Sequence, residues 1–249
     1  MRIFVTLALA VGLVLGLSGS VRAQDEIKGI IEKAIKAHGG KEKIEKQKAV
    51  RTKSQGKLEI MGLTLPFTQE VAANPPEQFK ETMSLDVMGQ KVDVVTAYSK
   101  GKAWISRNGA DVPITDEIMD VLKDAAYAMK LARFAFVSDK SFELSALGEI
   151  KVENKPALGI KVASKGHKDI NLFFDKESGL MVKVEKQSRD IASGKDVLEE
   201  RIITEYQDID GLKVAKKVIV KRDGSPFMDL EVTEVKSVDK IDDSEFAKP

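Results

Sequence analysis

The hydrophobic residues that follow Val50 recur with a period of two, and this pattern constrains what the chain can fold into. Alternation of apolar and polar side chains is typical of antiparallel strands that have one buried face and one face in water. The alternating apolar residues of the first runs are Leu58 and Ile60, then Leu63, Leu65 and Phe67, and then Phe79, Met83, Leu85 and Val87. The sequence therefore predicts a mainly β protein.

Turn signals separate these runs, and most of them contain glycine, which adopts the positive φ angles that tight hairpin turns require. Turns are expected at Met61-Gly62, Met88-Gly89, Lys100-Gly101, Asn108-Gly109, Asn154-Lys155-Pro156, Ser178-Gly179, Ser193-Gly194, Asp210-Gly211 and Asp223-Gly224. Further strands are expected at residues 142–147, 150–154, 158–163, 170–174, 180–185, 197–206, 214–221 and 227–238. The spacing predicts a meander in which each strand pairs with the one before it. A sheet of about a dozen strands is too large to stay flat, so it should curl and close fully or partly into a barrel.

Two helical segments precede this pattern and a third interrupts it. Residues 25–38 carry apolar side chains at helical spacing and end at Gly39-Gly40, and a short turn over residues 41–47 is anchored by Ile44. A longer amphipathic helix is expected over residues 116–136, with acidic residues in its first turn, where the helix dipole favours them. Its apolar stripe is expected to contain Ile118, Leu122, Ala125, Met129, Ala132 and Phe136.

The first 23 residues are typical of a secretory signal peptide. Arg2 is followed by an apolar run over residues 3–17, then by Ser18-Gly19-Ser20, and Ala23 provides a small residue before the expected cleavage site. The alternative is a membrane anchor, but a membrane span needs about 20 apolar residues and this run is shorter. Cleavage after Ala23 would release an exported protein that is not anchored in a membrane.

Composition sets further limits on the exported chain. The whole chain has 40 basic and 39 acidic residues, and removal of the signal peptide takes away Arg2 and Arg22. The net charge of the exported chain is therefore about −1, which gives no electrostatic reason to bind nucleic acid. The chain has no cysteine, so it can form no disulfide and carry no lipid on a cysteine. Because no repeat or shift in composition marks a boundary, residues 24–249 are expected to form a single domain. The exported chain is also expected to be soluble and monomeric.

Residues that could carry out catalysis are few. The chain has two histidines, His38 and His167, and no cysteine, so it lacks the several His and Cys ligands from which zinc sites are normally built. Both histidines are expected at the surface. Asp208-Ile209-Asp210-Gly211 lacks the remaining ligands of a calcium loop and is interpreted as a hairpin turn. There is no glycine-rich phosphate loop, nucleophile elbow or helical metal-binding pair. The sequence predicts a protein that is not an enzyme and needs no metal or cofactor.

The interior of a curled sheet of about a dozen strands must be filled by the helices, by a ligand or by both. Methionine and phenylalanine offer a lining that can adapt to variable apolar ligands. The alternative is that the methionine and phenylalanine side chains form an ordinary hydrophobic core. The candidate lining residues are Phe67, Phe79, Met83, Met88, Trp104, Met129, Phe173 and Phe174.

Several segments of the chain resemble the bacterial lipoprotein-sorting carriers of the LolA/LolB-like family. The similar segments are residues 74–80 (Asn-Pro-Pro-Glu-Gln-Phe-Lys), 100–105 (Lys-Gly-Lys-Ala-Trp-Ile), 172–180 (Leu-Phe-Phe-Asp-Lys-Glu-Ser-Gly-Leu), 242–249 and the helix end 37–40 (Ala-His-Gly-Gly). The resemblance implies an α+β fold in which a curved antiparallel sheet forms an incomplete barrel and helices cover its open side. It also implies a hydrophobic cavity for acyl chains, and Arg51 is the candidate for the arginine with which these carriers lock the helical lid.

The resemblance implies a periplasmic carrier or chaperone whose partner is an acylated lipoprotein or a lipid. The alternatives are an envelope sensor that signals to a membrane protein, and an interaction module whose interior is full. The residues expected to line the cavity and lid are Leu58, Ile60, Phe67, Phe79, Met83, Leu85, Trp104, Leu122, Met129, Leu172 and Phe174.

Overall fold

The computed structural model describes residues 17–60, 62–75, 77–134, 137, 139–191 and 193–248. Residues 1–16 of the expected signal peptide, together with Met61, Pro76, Phe136 and Pro249, lie outside the described residues. The helices are α1 (Leu17–Ala37), α2 (Lys41–Lys46) and α3 (Asp116–Ala132), and a short 3-10 helix spans Asp243–Phe246. The strands are β1 (Ala49–Ile60), β2 (Leu63–Asn74), β3 (Gln78–Val87), β4 (Gln90–Ser99), β5 (Lys102–Arg107), β6 (Ala110–Val112), β7 (Phe142–Val152), β8 (Lys155–Ser164), β9 (Ile170–Asp175), β10 (Met181–Asp190), β11 (Lys195–Ile209), β12 (Leu212–Arg222) and β13 (Ser225–Val238).

In the described part of the chain, all thirteen strands form one antiparallel sheet in the order β6-β5-β4-β3-β2-β1-β13-β12-β11-β10-β9-β8-β7. Each strand pairs with its predecessor except β7, because α3 separates it from β6. The first and last strands pair with each other at the centre of the sheet. The edges β6 and β7 stay apart, so the sheet is an incomplete barrel and the predicted fold class is confirmed.

The hairpin turns follow the glycine signals closely. In five connections both central residues of the turn have positive φ angles, and the second of the two is glycine. Two-residue hairpin turns require this conformation because it matches the right-handed twist of the flanking strands. These five predicted turns are Met88-Gly89, Lys100-Gly101, Asn108-Gly109, Asp210-Gly211 and Asp223-Gly224.

The region around β7 differs from the prediction. Residues 142–154 were expected to form two strands, but β7 is continuous across a bulge at Gly148, whose φ is +77°. The turn after it lies at Glu153-Asn154 rather than at Asn154-Lys155-Pro156, because both of these residues adopt positive φ. A glycine that was interpreted as a strand end therefore accommodates an extra residue within one strand.

Helix α1 is longer than expected. Within the described residues it extends from Leu17 through Ser18-Gly19-Ser20 and past the expected cleavage site, and it ends before Gly39 and Gly40, whose φ angles are positive. One glycine weakens a helix by only about 1 kcal/mol, which does not force it to end. Among the described helices, none has the length and apolar character needed to cross a membrane.

Helices α1 and α3 occupy the inner face of the half-barrel. Helix α3 contacts both β4 and β10, which lie in opposite halves of the sheet, so it must run between the two walls. One side of α3 packs Leu122 and Ala126 against Phe79 of β3. Near its C-terminal end, Tyr127 and Leu131 pack with α1 against β8, β9 and β10.

The apolar stripe of α3 is wider than predicted and is rotated. Ala126, Tyr127 and Leu131 are buried, whereas Ala132, which was expected on the stripe, is exposed. A helix that touches two walls buries side chains in two directions, which a single-stripe analysis of the sequence does not anticipate.

The outer face of the sheet carries the C-terminal segment. Phe246 and Ile241 pack on Ala49 and Ala72, and the Trp104 indole nitrogen donates a hydrogen bond to the Phe246 carbonyl oxygen at 3.0 Å. Ala72, Lys80, Ala97 and Trp104 lie directly opposite one another on β2, β3, β4 and β5. Because opposite residues share a face of the sheet, all four lie on the outer face.

Candidate functional site

The inner face carries a row of side chains that crosses the centre of the sheet. Residues directly opposite each other on antiparallel strands share a face. The row consists of residues that lie directly opposite one another on neighbouring strands. In the strand order β11, β12, β13, β1 and β2, these residues are Arg201, Val220, Met228, Leu58 and Leu65. At one end Val184, opposite Arg201, packs against the cluster that contains α1, which identifies the row as inner.

A second apolar row lies beside the first. It crosses β13, β1, β2, β3 and β4 through Leu230, Gly56, Phe67, Leu85 and Val92. A side chain at Gly56 would overlap the Asp229 carbonyl oxygen and press on the Phe67 ring. Glycine at this point therefore lets the backbone and the ring approach each other closely.

These rows form an apolar surface that the helices leave partly open. Leu58 and Phe67 are buried, but Leu65, Leu85 and Met228 keep part of their surface exposed. Met83, two residues before Leu85 on the same face of β3, is also partly exposed. Within the described residues, neither helical cluster includes any of these six side chains. We refer to Leu58, Leu65, Phe67, Met83, Leu85 and Met228 as the inner apolar surface.

The structure divides the predicted lining residues into four groups. It brings Leu58, Phe67, Met83 and Leu85 together, with Ile60 exposed at the end of the same face of β1. Phe79, Leu122 and Met129 belong to the contact between α3 and the sheet, while Leu172 and Phe174 lie under α1. Trp104 lies on the outer face and cannot line the interior.

Charged residues on the inner face were not anticipated from the sequence. Glu199 accepts a hydrogen bond from Arg201 Nε at 3.0 Å and contacts Arg222 at 3.5 Å, and Arg222 also pairs with Asp190 at 3.2 Å. Lys186 lies directly opposite Glu199 on β10. We refer to Lys186, Asp190, Glu199, Arg201 and Arg222 as the inner charged group. A signal for this placement was present in the sequence. Glu199 and Arg201 lie at alternate positions with Val197 and Ile203, so all four residues share one face of β11.

The surroundings of this group shift its pKa values. Burial acts to raise the pKa of Glu199, but the charges of Arg201 and Lys186 outweigh it and lower the pKa. Burial lowers the pKa of Lys186, assisted by the charge of Arg201 and opposed by Glu199 and by Asp124 of α3. On the opposite wall, burial raises the pKa of Glu81, against the hydrogen bond from Gln69 and the charge of Arg201.

Around the start of β7, the open side of the barrel contains a cavity of about 750 Å³ beside α3. The rings of Tyr127 and His167 stack there with their centroids 4.0 Å apart. The Tyr127 hydroxyl is buried, has no hydrogen-bond partner among the described residues, and has its pKa raised to about 12, chiefly by burial. His167 is exposed, as predicted.

The expectation that His38 lies at the surface is wrong, because its side chain is only 9% exposed. Its Nδ1 lies 2.8 Å from the Ala34 carbonyl oxygen, and its ring makes edge contacts with Phe134 and Tyr206. Burial lowers the pKa of His38 and therefore favours the neutral ring. Among the described residues, no group of three or more His, Asp or Glu could hold a metal ion.

Arg51 also lies elsewhere than expected. Its guanidinium makes two hydrogen bonds of 2.6 Å to the Glu245 carboxylate and so fastens the C-terminal 3-10 helix to the outer face. Because α3 lies on the inner face, Arg51 cannot lock that helix. The prediction failed because strand parity separates Arg51 from its inward-facing neighbours Val50 and Thr52.

No protein-family model matches the chain, and no curated protein matches it in sequence. Solved structures do match. A LolA superfamily protein from Nitrosomonas europaea superposes with a TM-score of 0.58 at 11% identity, covering 89% of this chain and 97% of that one. The protein has a LolA-like fold. The likeness predicted from the sequence is therefore confirmed for the fold.

Two further structures agree with this assignment. A DUF1329 family protein from Desulfovibrio piger matches with a TM-score of 0.52 at 10% identity and covers 89% of this chain and 97% of that one. A protein domain from Vibrio parahaemolyticus that is described as outer membrane lipoprotein-sorting matches with the same TM-score and identity, over 91% of this chain and 97% of that one. At identities this low, the similarity shows a shared fold and nothing about function. The function has to be inferred from the candidate site.

Proposed function

We propose that this LolA-like protein is a carrier or chaperone that binds acyl chains of lipoproteins or lipids on the inner apolar surface, without enzymatic activity. The observation that carries the proposal is that Leu65, Met83, Leu85 and Met228 face the interior, are partly exposed and belong to neither cluster that contains a helix. Exposed apolar surface inside a half-barrel is costly unless something covers it for part of the time.

Transfer by differential burial explains how such a carrier works. Each methylene that leaves water stabilises the complex by about 0.8 kcal/mol, so a chain of many methylenes can be held firmly. A chain that is covered on one side by the sheet still exposes the other side. It therefore moves to an acceptor that covers it more completely, with no chemical step.

The setting that we propose is the bacterial periplasm, which the protein would reach by cleavage after Ala23 as a single-domain monomer of residues 24–249. Protein recovered from the envelope should then begin at Gln24 and remain in solution without detergent. Recovery of the intact Met1 end in the membrane fraction would contradict both the location and the carrier role.

A fluorescent acyl probe tests the binding proposal. Leu85→Asp places a charge on the inner apolar surface at a partly exposed position, so the variant should fold and lose the probe. Leu147→Asp, at an exposed leucine of the edge strand β7, is the matched control and should retain binding. Phe79→Asp should instead unfold the protein, because Phe79 is buried against α3 and an unpaired buried charge is strongly destabilising. If Leu85→Asp retained full binding, the inner apolar surface would not be the acyl site.

A further inference from the structure

We propose that the inner charged group binds the carboxylate of a free long-chain fatty acid, whose tail lies along the inner apolar surface. This inference rests on the proposed acyl-binding function and adds the headgroup. It makes the preferred ligand a fatty acid rather than an acyl chain joined to a protein by an ester or amide bond, since neither linkage carries a negative charge.

The first supporting observation is a lysine without a partner. Lys186 is partly buried on the inner face of β10, yet its ammonium makes no ion pair or hydrogen bond with any described residue. Other partly buried cations of this face are compensated, as Arg222 is by Asp190 and Glu199. Partial withdrawal of a cation from water without a partner is unfavourable, and a bound carboxylate would supply that partner.

The second observation is that the neighbouring arginines have donors to spare. Arg201 uses only Nε in its ion pair with Glu199, and its side chain is 55% exposed although it lies on the inner face of a central strand. Water therefore reaches this part of the interior. The Arg222 Nε is buried and has no hydrogen-bond partner among the described residues. Arginine donors of this kind are suited to carboxylate oxygens.

The third observation is that the charged group continues directly into the apolar surface. Arg201 begins the row that continues through Val220, Met228, Leu58 and Leu65. Four strand spacings of about 4.8 Å give the row a length of about 19 Å. One end of the row is charged and the rest is apolar, which is the pattern of a fatty acid.

Two carboxyl groups on other elements face the same space. Asp124 of α3 raises the pKa of Lys186 through its charge, so it competes with a ligand carboxylate for this ammonium. Glu81 of β3 interacts with Arg201 across the interior, and burial favours its neutral form. The site therefore predicts that removing the charge of Asp124 strengthens the binding of a fatty acid.

The test compares palmitate with methyl palmitate by displacement of a fluorescent acyl probe at neutral pH. Palmitate should bind about tenfold more tightly, since a charge-assisted hydrogen bond is typically worth this much. Lys186→Met keeps the apolar stem and should remove this preference by weakening palmitate alone. Lys186→Arg should restore it, and Asp124→Asn should strengthen palmitate binding. Lys57→Met, on the outer face of β1, is the control and should change neither affinity.

Four outcomes would overturn the proposal, and the last would also overturn the proposed function. If both ligands bound wild-type protein equally, the carboxylate would not be recognised, although acyl binding would stand. If Lys186→Met, with an unchanged circular-dichroism spectrum, kept the preference for palmitate, the inner charged group would not be the site. If inorganic phosphate displaced palmitate at equal concentration, the group would be a simple anion site with no role for the tail. If neither palmitate nor its ester bound, the proposed function itself would fail.

Discussion

Replacing Glu199 by glutamine tests the energetic role of the inner charged group. Glu199 is 4% exposed and bridges Arg201 and Arg222, so the variant removes a charge from two ion pairs while preserving shape. Breaking a fully buried ion pair costs about 3–5 kcal/mol, but Arg201 is largely solvated and its share is about 0–1 kcal/mol. We therefore expect a loss of about 2–3 kcal/mol, which lowers Tm by about 4–12 °C for a domain of this size.

The dependence on pH distinguishes this explanation from a change in packing. The folded-state pKa of Glu199 is lowered, so its contribution to stability is present above the ordinary value of about 4.5 and is lost as the pH falls through the folded-state pKa. Urea unfolding followed by circular dichroism should show a large difference between wild type and Glu199→Gln at pH 7 that vanishes in acid. Glu70→Gln removes an exposed ion pair with Lys53 and should change little. A difference that persists unchanged at low pH would refute the electrostatic argument.

Three further predictions concern other parts of the fold. Because burial lowers the pKa of His38, the folded state binds fewer protons than the unfolded state below a pH of about 6.5. The free energy of unfolding should therefore decline as the pH falls below this value, and a His38→Asn variant with an equally steep decline would contradict this. Gly56→Ala should destabilise the protein by about 2 kcal/mol or more in urea unfolding, since the Asp229 carbonyl belongs to the backbone and cannot move aside; wild-type stability would show that β1 and β13 can separate locally. If α3 is a lid, its amide hydrogens should exchange faster than those of the central strands and slow when a fatty acid is added, whereas strand-like protection that is indifferent to ligand would make it a permanent plug.

Local sequence signals predicted the elements well where they involve only neighbouring residues. Period-two alternation located the strands, and pairs such as Asn108-Gly109 located the turns, because backbone sterics decide both within a few residues. The same signals failed at His38, whose position at a helix end gives no sign that Phe134 and Tyr206 will surround it. They also failed at Trp104, because the pattern shows that alternate residues share a face without showing which face turns inward.

The sequence by itself determined a curved antiparallel sheet with two amphipathic helices, because strand period, glycine turns and helical spacing are properties of short segments. The LolA-like arrangement was implied by the resemblance of several short segments to that family. Only the tertiary structure decided that β1 pairs with β13, that α3 lies between opposite walls, and that Arg201 and Lys186 point into the interior. Each of these depends on contacts between residues far apart in the chain, and the free energy of such contacts is set by curvature and packing that no local pattern encodes. The candidate site lies where those distant strands meet.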